Sequence, residues 1–206
     1  MSTLAGNRLV PLAAPATPAE AEALADGLVA GGIGIVEVAL RTEHAMDALR
    51  TIAGRGDLVV GAGTVLDAEQ ARAAVDAGAT FLVSPGLSAD VVAVAQAAGV
   101  GALPGIMTPS EVMAARDLGL REVKLFPAGV AGGLALLDAY ASVFADVRFM
   151  PSGGVSEATL AAHLAHPAVV AVSGSWLASG TLLREGADAV AAVAARAVAI
   201  AGEVRA

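Results

Sequence analysis

Eight short aliphatic runs alternate with alanine-rich stretches along the chain, and that alternation limits the fold more than any other feature. The runs are LVPLA (9–13), GIVEVAL (34–40), LVVGAGT (58–64), FLVSP (81–85), VGALPG (100–105), EVKLF (122–126), VRFMPSG (147–153) and VVAVSGS (169–175). Such near-continuous apolar segments suit parallel strands, which are buried on both faces. The stretches between them open on helix-capping signals: Thr17-Pro18 ahead of Glu20, Asp67 ahead of AEQARAAVDAG, and Thr108-Pro109-Ser110-Glu111. A side-chain oxygen at these positions accepts a first-turn N–H that the helix leaves unpaired. Gly78, Gly99 and Gly119 close three of the stretches, where a left-handed helix cap favours a residue without a Cβ. Parallel neighbours need a crossover, and each helix supplies one. Eight such units in 206 residues predict an α/β fold, a single eight-stranded parallel (β/α)8 TIM barrel forming one domain over residues 1–206. An open doubly wound sheet shares the alternation. Against it, no G-x-G-x-x-G opens a helix after an early strand, and GAGT after the third run is too short to serve.

In a parallel barrel, alternate residues of each strand fill the interior, and the C-terminal strand ends carry the chemistry. In GIVEVALRT, Val36, Val38 and Leu40 take the helix-facing parity, leaving Glu37, Ala39 and Arg41 inward or at the rim. In REVKLFP, Val123 and Leu125 face outward, and Lys124 faces inward with Phe126 above it. A carboxylate and an amine thus enter one cavity from the second and sixth strands. Each is costly to bury unless paired or neutralised. Lys124 is also the only lysine; the eleven other basic side chains are arginine. A desolvated lysine can lose its proton and act as a nucleophile, whereas arginine stays charged. The competing reading is compositional, a single lysine left on a solvated edge.

Composition narrows the partners. A formal charge of −8 and six aromatic residues argue against nucleic acid, which needs basic patches and stacking faces. An anionic substrate then requires a local basic site against the overall field. The chain is 56% apolar, but alanine supplies most of the excess, and Gln96, Asp188 and Arg196 break the long tracts. No stretch reaches the roughly 18 apolar residues of a membrane span. The N-terminus lacks the basic segment and apolar run of a secretory signal, and the absence of cysteine excludes disulfides and thiolate metal sites. Both features are compatible with the cytoplasm.

PSGGV (151–155) and VSGSW (172–176) follow the seventh and eighth runs, where parallel barrels often hold phosphate on backbone N–H groups. Glycine lets the backbone approach the oxygens, and serine hydroxyls add donors. Either fragment alone is an ordinary turn; together, at this place in the pattern, they make a candidate phosphate site. Other polar residues read as structural. His44 suits a solvated first helical turn. His163 and His166 stand three apart in AAHLAHP without a third ligand or an H-E-x-x-H pattern. Trp176 reads as a packing anchor beneath the phosphate loop. Glu122 shares the inward parity of Lys124 and is expected to pair with an arginine at the barrel floor.

Six stretches in order, GGIGIVEVALRT, VGAGTVLDAEQ, LVSPGL, LPGIMTPSE, VKLFPA and PSGGVS, resemble the family of 2-keto-3-deoxy-6-phosphogluconate (KDPG) aldolases, also described as 4-hydroxy-2-oxoglutarate (KHG) aldolases. The resemblance runs from about Val10 to Leu177. It implies a metal-free class I aldolase with no cofactor, usually a homotrimer, that cleaves a phosphorylated keto acid in the Entner–Doudoroff pathway. By motif, Lys124 takes the Schiff-base position and Glu37 the proton-transfer position. Arg41 and Thr64 take positions that hold the keto-acid carboxylate, and Pro85 and Phe126 line the site. Ser152, Gly153, Gly154 and Ser175 take the phosphate-binding positions. Two residues depart from the pattern. Ala14 stands where some relatives carry an arginine, and Ser152 where many phosphogluconate-type members carry threonine. Galactonate-type relatives tend toward an apolar residue at the latter position and asparagine in place of Arg41, so the gluconate epimer is the expected substrate. An aldolase for the galactonate epimer remains an alternative. So do a phosphate-binding isomerase or synthase, which leaves Lys124 unexplained, and a barrel that binds a sugar phosphate without turnover, which leaves Glu37 idle.

Overall fold

The computed structural model describes Thr3, Leu4 and residues 6–204. Its strands are β1 (Leu9–Ala13), β2 (Ile35–Ala39), β3 (Val59–Gly63), β4 (Phe81–Ser84), β5 (Gly101–Ile106), β6 (Glu122–Leu125), β7 (Arg148–Pro151) and β8 (Val172–Gly174). The helices between them are α1 (Pro18–Ala30), α2 (Ala45–Arg55), α3 (Ala68–Asp76), α4 (Ala89–Ala98), α5 (Pro109–Asp117), α6 (Leu134–Val143) and α7 (Glu157–Ala165). After β8 come a short 3-10 turn (Ser175–Ala178), α8 (Gly180–Glu185) and α9 (Ala187–Glu203). Each apolar run forms its strand, and the capping signals work as read. The Thr17 hydroxyl accepts the Glu20 N–H at 3.2 Å and the Asp67 carboxylate accepts the Gln70 N–H at 2.8 Å. Thr108 and Glu111 form a reciprocal capping box.

The sheet runs β7-β6-β5-β4-β3-β2-β1-β8 with every pair parallel. Bridges from Phe149 to Val169 and from Ser152 to Ser173 join its two ends. The ring therefore closes, and the doubly wound alternative falls. Outside the sheet, α9 packs on α1 at close range, since a Cβ on Gly27 or Gly31 would collide with Val190 or Ala194. Among the described residues no helix is long and apolar enough to cross a membrane.

Residues paired in register share a face, so the pairing sorts the interior. Glu37, Gly61, Phe81 and Gly101 form one inward row across β2 to β5. Gly105, Lys124 and Met150 form another across β5 to β7. At the N-terminal end of the barrel, Thr3 sets its methyl against Gly101, and its N–H donates to Glu122 Oε2 at 2.9 Å. Among the described residues Glu122 thus pairs with a backbone amide and with no arginine, its register partner Arg148 included. Of the nearby guanidiniums, Arg8 is occupied by the carbonyls of Leu164 and Val204, and Arg121 by Asp146.

Candidate active site

Strands β2 and β6 bring the two inward ionisable groups together as their parity demands. Lys124 Nζ lies 3.4 Å from Glu37 Oε1, with the residues 3% and 0% exposed. Removing either partner would leave a buried charge unpaired. Glu37 is in register with Gly61, yet its side chain leans along the strand over Gly63, where a Cβ would overlap the carboxylate. Ser173 of β8 donates its hydroxyl to the second oxygen, Oε2, at 3.3 Å. The Phe126 ring stands with its centroid 5.1 Å from Lys124 Nζ, within the roughly 6 Å range of a cation–π contact.

Arg41 and Thr64 meet at the rim. A fully extended strand would carry Arg41 well above Glu37. Instead β2 stops at Ala39, and the Arg41 N–H turns back to the Ala39 carbonyl at 2.8 Å. Arg41 Nε then donates to Thr64 Oγ1 at 2.9 Å, leaving both Nη groups without a protein partner among the described residues. Thr64 adopts φ +60°, alone among the described non-glycine residues in the left-handed region. A β-branched side chain is strained there. Pro85 is exposed just beyond β4, with its carbonyl packed where Gly105 offers no Cβ.

The serine–glycine fragments sit at the same end. Ser152 lies two residues beyond Met150, the register partner of Lys124, so its backbone is about 6–7 Å nearer the mouth. Ser152 is buried; Gly153 and Gly154 follow at φ +80° and +91°. Gly154 presses on the Gly129 backbone, where a Cβ would not fit. Ser175 is exposed at the start of the 3-10 turn. Trp176 covers Gly174 with its ring, and its buried indole N–H finds no acceptor among the described residues. The β5–α5 loop is clamped at Met107, whose N–H donates to Glu111 Oε2 at 2.9 Å and whose carbonyl accepts the Tyr140 hydroxyl at 2.7 Å. The Met107 N–H, helped by Thr108, holds the Glu111 carboxyl below its ordinary value against the opposing effect of burial. Burial, and then the Glu111 charge, push the Tyr140 phenol up.

Of the residues singled out in the sequence, Lys124 meets both Glu37 and Phe126, and Arg41 touches Thr64. Pro85, Gly153, Gly154 and Ser175 lie on strand-end loops of the same face, and Ser152 is bridged to Ser173. Ser173 was missed as a partner of Glu37. Its signal is a hydroxyl at an inward position of the eighth run. The histidines are structural: His163 Nδ1 bonds the Thr159 carbonyl at 2.9 Å, His166 Nε2 lies 3.2 Å from Asp138, and His44 is exposed at the start of α2.

A closed parallel barrel that buries one amine against one carboxylate beneath its C-terminal mouth has the architecture of a (β/α)8-barrel enzyme. The family model for KDPG and KHG aldolases matches residues 1–193, and the chain belongs to that family. The KHG/KDPG aldolase of Escherichia coli is 42% identical over 186 residues, covering 90% of this chain and 87% of the relative. The 2-dehydro-3-deoxy-phosphogluconate aldolase of Zymomonas mobilis is 44% identical over 159 residues, covering 77% and 76%. A crystal structure of KDPG aldolase from Legionella pneumophila, with pyruvate captured at low pH as a covalent carbinolamine intermediate, superposes with a TM-score of 0.90. It is 32% identical, with 94% of this chain and 95% of that one covered.

Proposed function

We propose that the chain is a class I aldolase that cleaves 2-keto-3-deoxy-6-phosphogluconate to pyruvate and glyceraldehyde 3-phosphate, and 4-hydroxy-2-oxoglutarate to pyruvate and glyoxylate. The observation that carries this reading is the 3.4 Å approach of Lys124 Nζ to Glu37 Oε1 inside the barrel. Lys124 reacts as the unprotonated amine. The amine adds to the substrate ketone, and loss of water from the carbinolamine leaves an iminium. That cation accepts the electrons of the breaking carbon–carbon bond, while a base removes the hydroxyl proton of the departing half. The enamine left behind takes a proton at carbon from Glu37, directly or through one water, and hydrolysis releases pyruvate.

Arg41, whose Nη groups have no protein partner among the described residues, and Thr64 hold the keto-acid carboxylate at the rim. Bidentate contact there would fix the ketone relative to the amine. Pro85 and Phe126 line the path, and Ser152, Gly153, Gly154 and Ser175 receive the phosphate. Arg41 and the hydroxyl of Ser152 favour the gluconate epimer. We further propose that the enzyme acts in the cytoplasm, in the Entner–Doudoroff pathway, as a homotrimer. Exposed Leu66, Met107 and Val130 on the mouth loops offer apolar surface for contact between subunits.

Reductive trapping tests the mechanism. Borohydride with pyruvate should inactivate the protein and leave one reduced adduct on Lys124, which peptide mass mapping reads cleanly because only the N-terminal amine competes. Lys124→Arg should keep the charge and abolish cleavage. An intact enzyme, or an adduct solely at Met1, would sink the Schiff-base reading.

A further inference from the structure

We propose that Ser173 is the positioning residue for Glu37, fixing the rotation of its carboxylate so that one oxygen stays aimed at the reacting centre. The proposal rests on Glu37 as the proton-transfer group. Ser173 is 0% exposed and lies in β8, paired with Val10 of β1 on one side and bridged to Ser152 on the other. Leu12, two residues along β1 from Val10, is the register partner of Glu37, so Ser173 reaches the carboxylate across a single intervening strand. The two carboxylate oxygens then have different partners: Oε1 takes Lys124 and Oε2 takes Ser173.

The terminal torsion of a glutamate is broad and imposes no plane of its own. The backbone of Gly63 walls one side of the group but offers no directional contact. Direction comes from the two hydrogen bonds. One of them changes during turnover, because Nζ loses two of its three N–H donors and becomes bonded to the substrate carbon, so its contact with Glu37 must be remade. The Ser173 hydroxyl is then the side-chain hydrogen bond, among the described residues, that persists while the proton moves. A buried hydroxyl needs a partner, and Glu37 is the one its side chain finds among the described residues.

The test separates iminium formation from proton transfer in Ser173→Ala, Ser173→Thr and Glu37→Gln. Borohydride trapping with pyruvate reads the first step, and exchange of the pyruvate methyl protons into deuterated water, followed by NMR, reads the second. Ser173→Ala should lower kcat for exchange by about tenfold or more, since small misplacements of a catalytic group cost that much. Its KM for pyruvate and its trapping rate should stay near wild type, and Ser173→Thr should recover most of the exchange. Wild-type exchange in the alanine variant overturns the proposal. So does an equal fall of trapping, KM and exchange in both serine variants, which would mark a merely structural role. Glu37→Gln distinguishes the underlying reading: wild-type exchange there removes Glu37 as the acid–base group, whereas slow exchange there beside fast exchange in Ser173→Ala removes only the role of Ser173.

Discussion

Thr64 offers a prediction in which stability and activity move apart. Its φ of +60° places a β-branched residue where glycine is at ease, and its hydroxyl takes the Arg41 hydrogen bond. Holding a non-glycine residue there costs about 1–3 kcal/mol. Thr64→Gly removes that strain, at a cost of about 0.5–1 kcal/mol in chain entropy. Losing a hydrogen bond at a solvated rim costs about 0.5 kcal/mol more, the low end for such bonds. The net runs from about 0.5 kcal/mol less stable than wild type to about 2 kcal/mol more stable, and each kcal/mol gained raises Tm at this chain length by about 2–4 °C. Thr64→Ala loses the same hydrogen bond but keeps a Cβ in the left-handed region, so it should fall below Thr64→Gly by about 1 kcal/mol. Within an ordinary helix the order is the reverse. Denaturant unfolding of the three proteins measures the ranking, and steady-state kinetics should show both variants with raised KM for the keto acid. An alanine variant as stable as the glycine variant would refute the claim of strain at this residue.

The phosphate end and the clamped loop give two further tests. Ser175→Ala should lower kcat/KM for the phosphorylated substrate by roughly ten- to a hundredfold, the worth of a hydrogen bond to a charged acceptor, and leave 4-hydroxy-2-oxoglutarate little affected. Gly154→Val, which loads a strained backbone and drives a Cβ into Gly129, should do the same more severely; equal losses on both substrates would make these loops structural. Glu111 has a lowered folded value, so its stabilising effect is complete above the unfolded carboxylate range near pH 4.3 and is lost as pH falls through the folded value. Unfolding of Glu111→Gln should therefore show a deficit against wild type at pH 7 that shrinks below about pH 4, and a constant deficit would contradict this.

The strands were legible because buried parallel strands leave long apolar runs, and period-two parity alone brought Glu37 and Lys124 into one cavity. What parity lacks is the offset between neighbouring strands and the path of the chain after each one ends. That offset brings Ser173 to Glu37, a contact invisible from either run alone. The turn at Ala39 sets the height of Arg41, and an extrapolated strand overshoots it. Glu122 shows the same limit, since its partner is a backbone amide arriving from the N-terminal residues, and no pairing of side-chain charges could have named it.

Gly63 carries a consequence for how such a barrel can change over time. Glu37 fills the volume that any side chain at 63 would claim, so the two positions share one allotment of space. A lineage that keeps the long acid in this orientation has a single amino acid available at 63. Enlarging 63 can only follow a shortening or a turning away of the side chain at 37, so the order of the two steps is fixed. A survey of this chain for reactive groups would pass over Gly63, although the address of the buried carboxylate is written there as much as at Glu37.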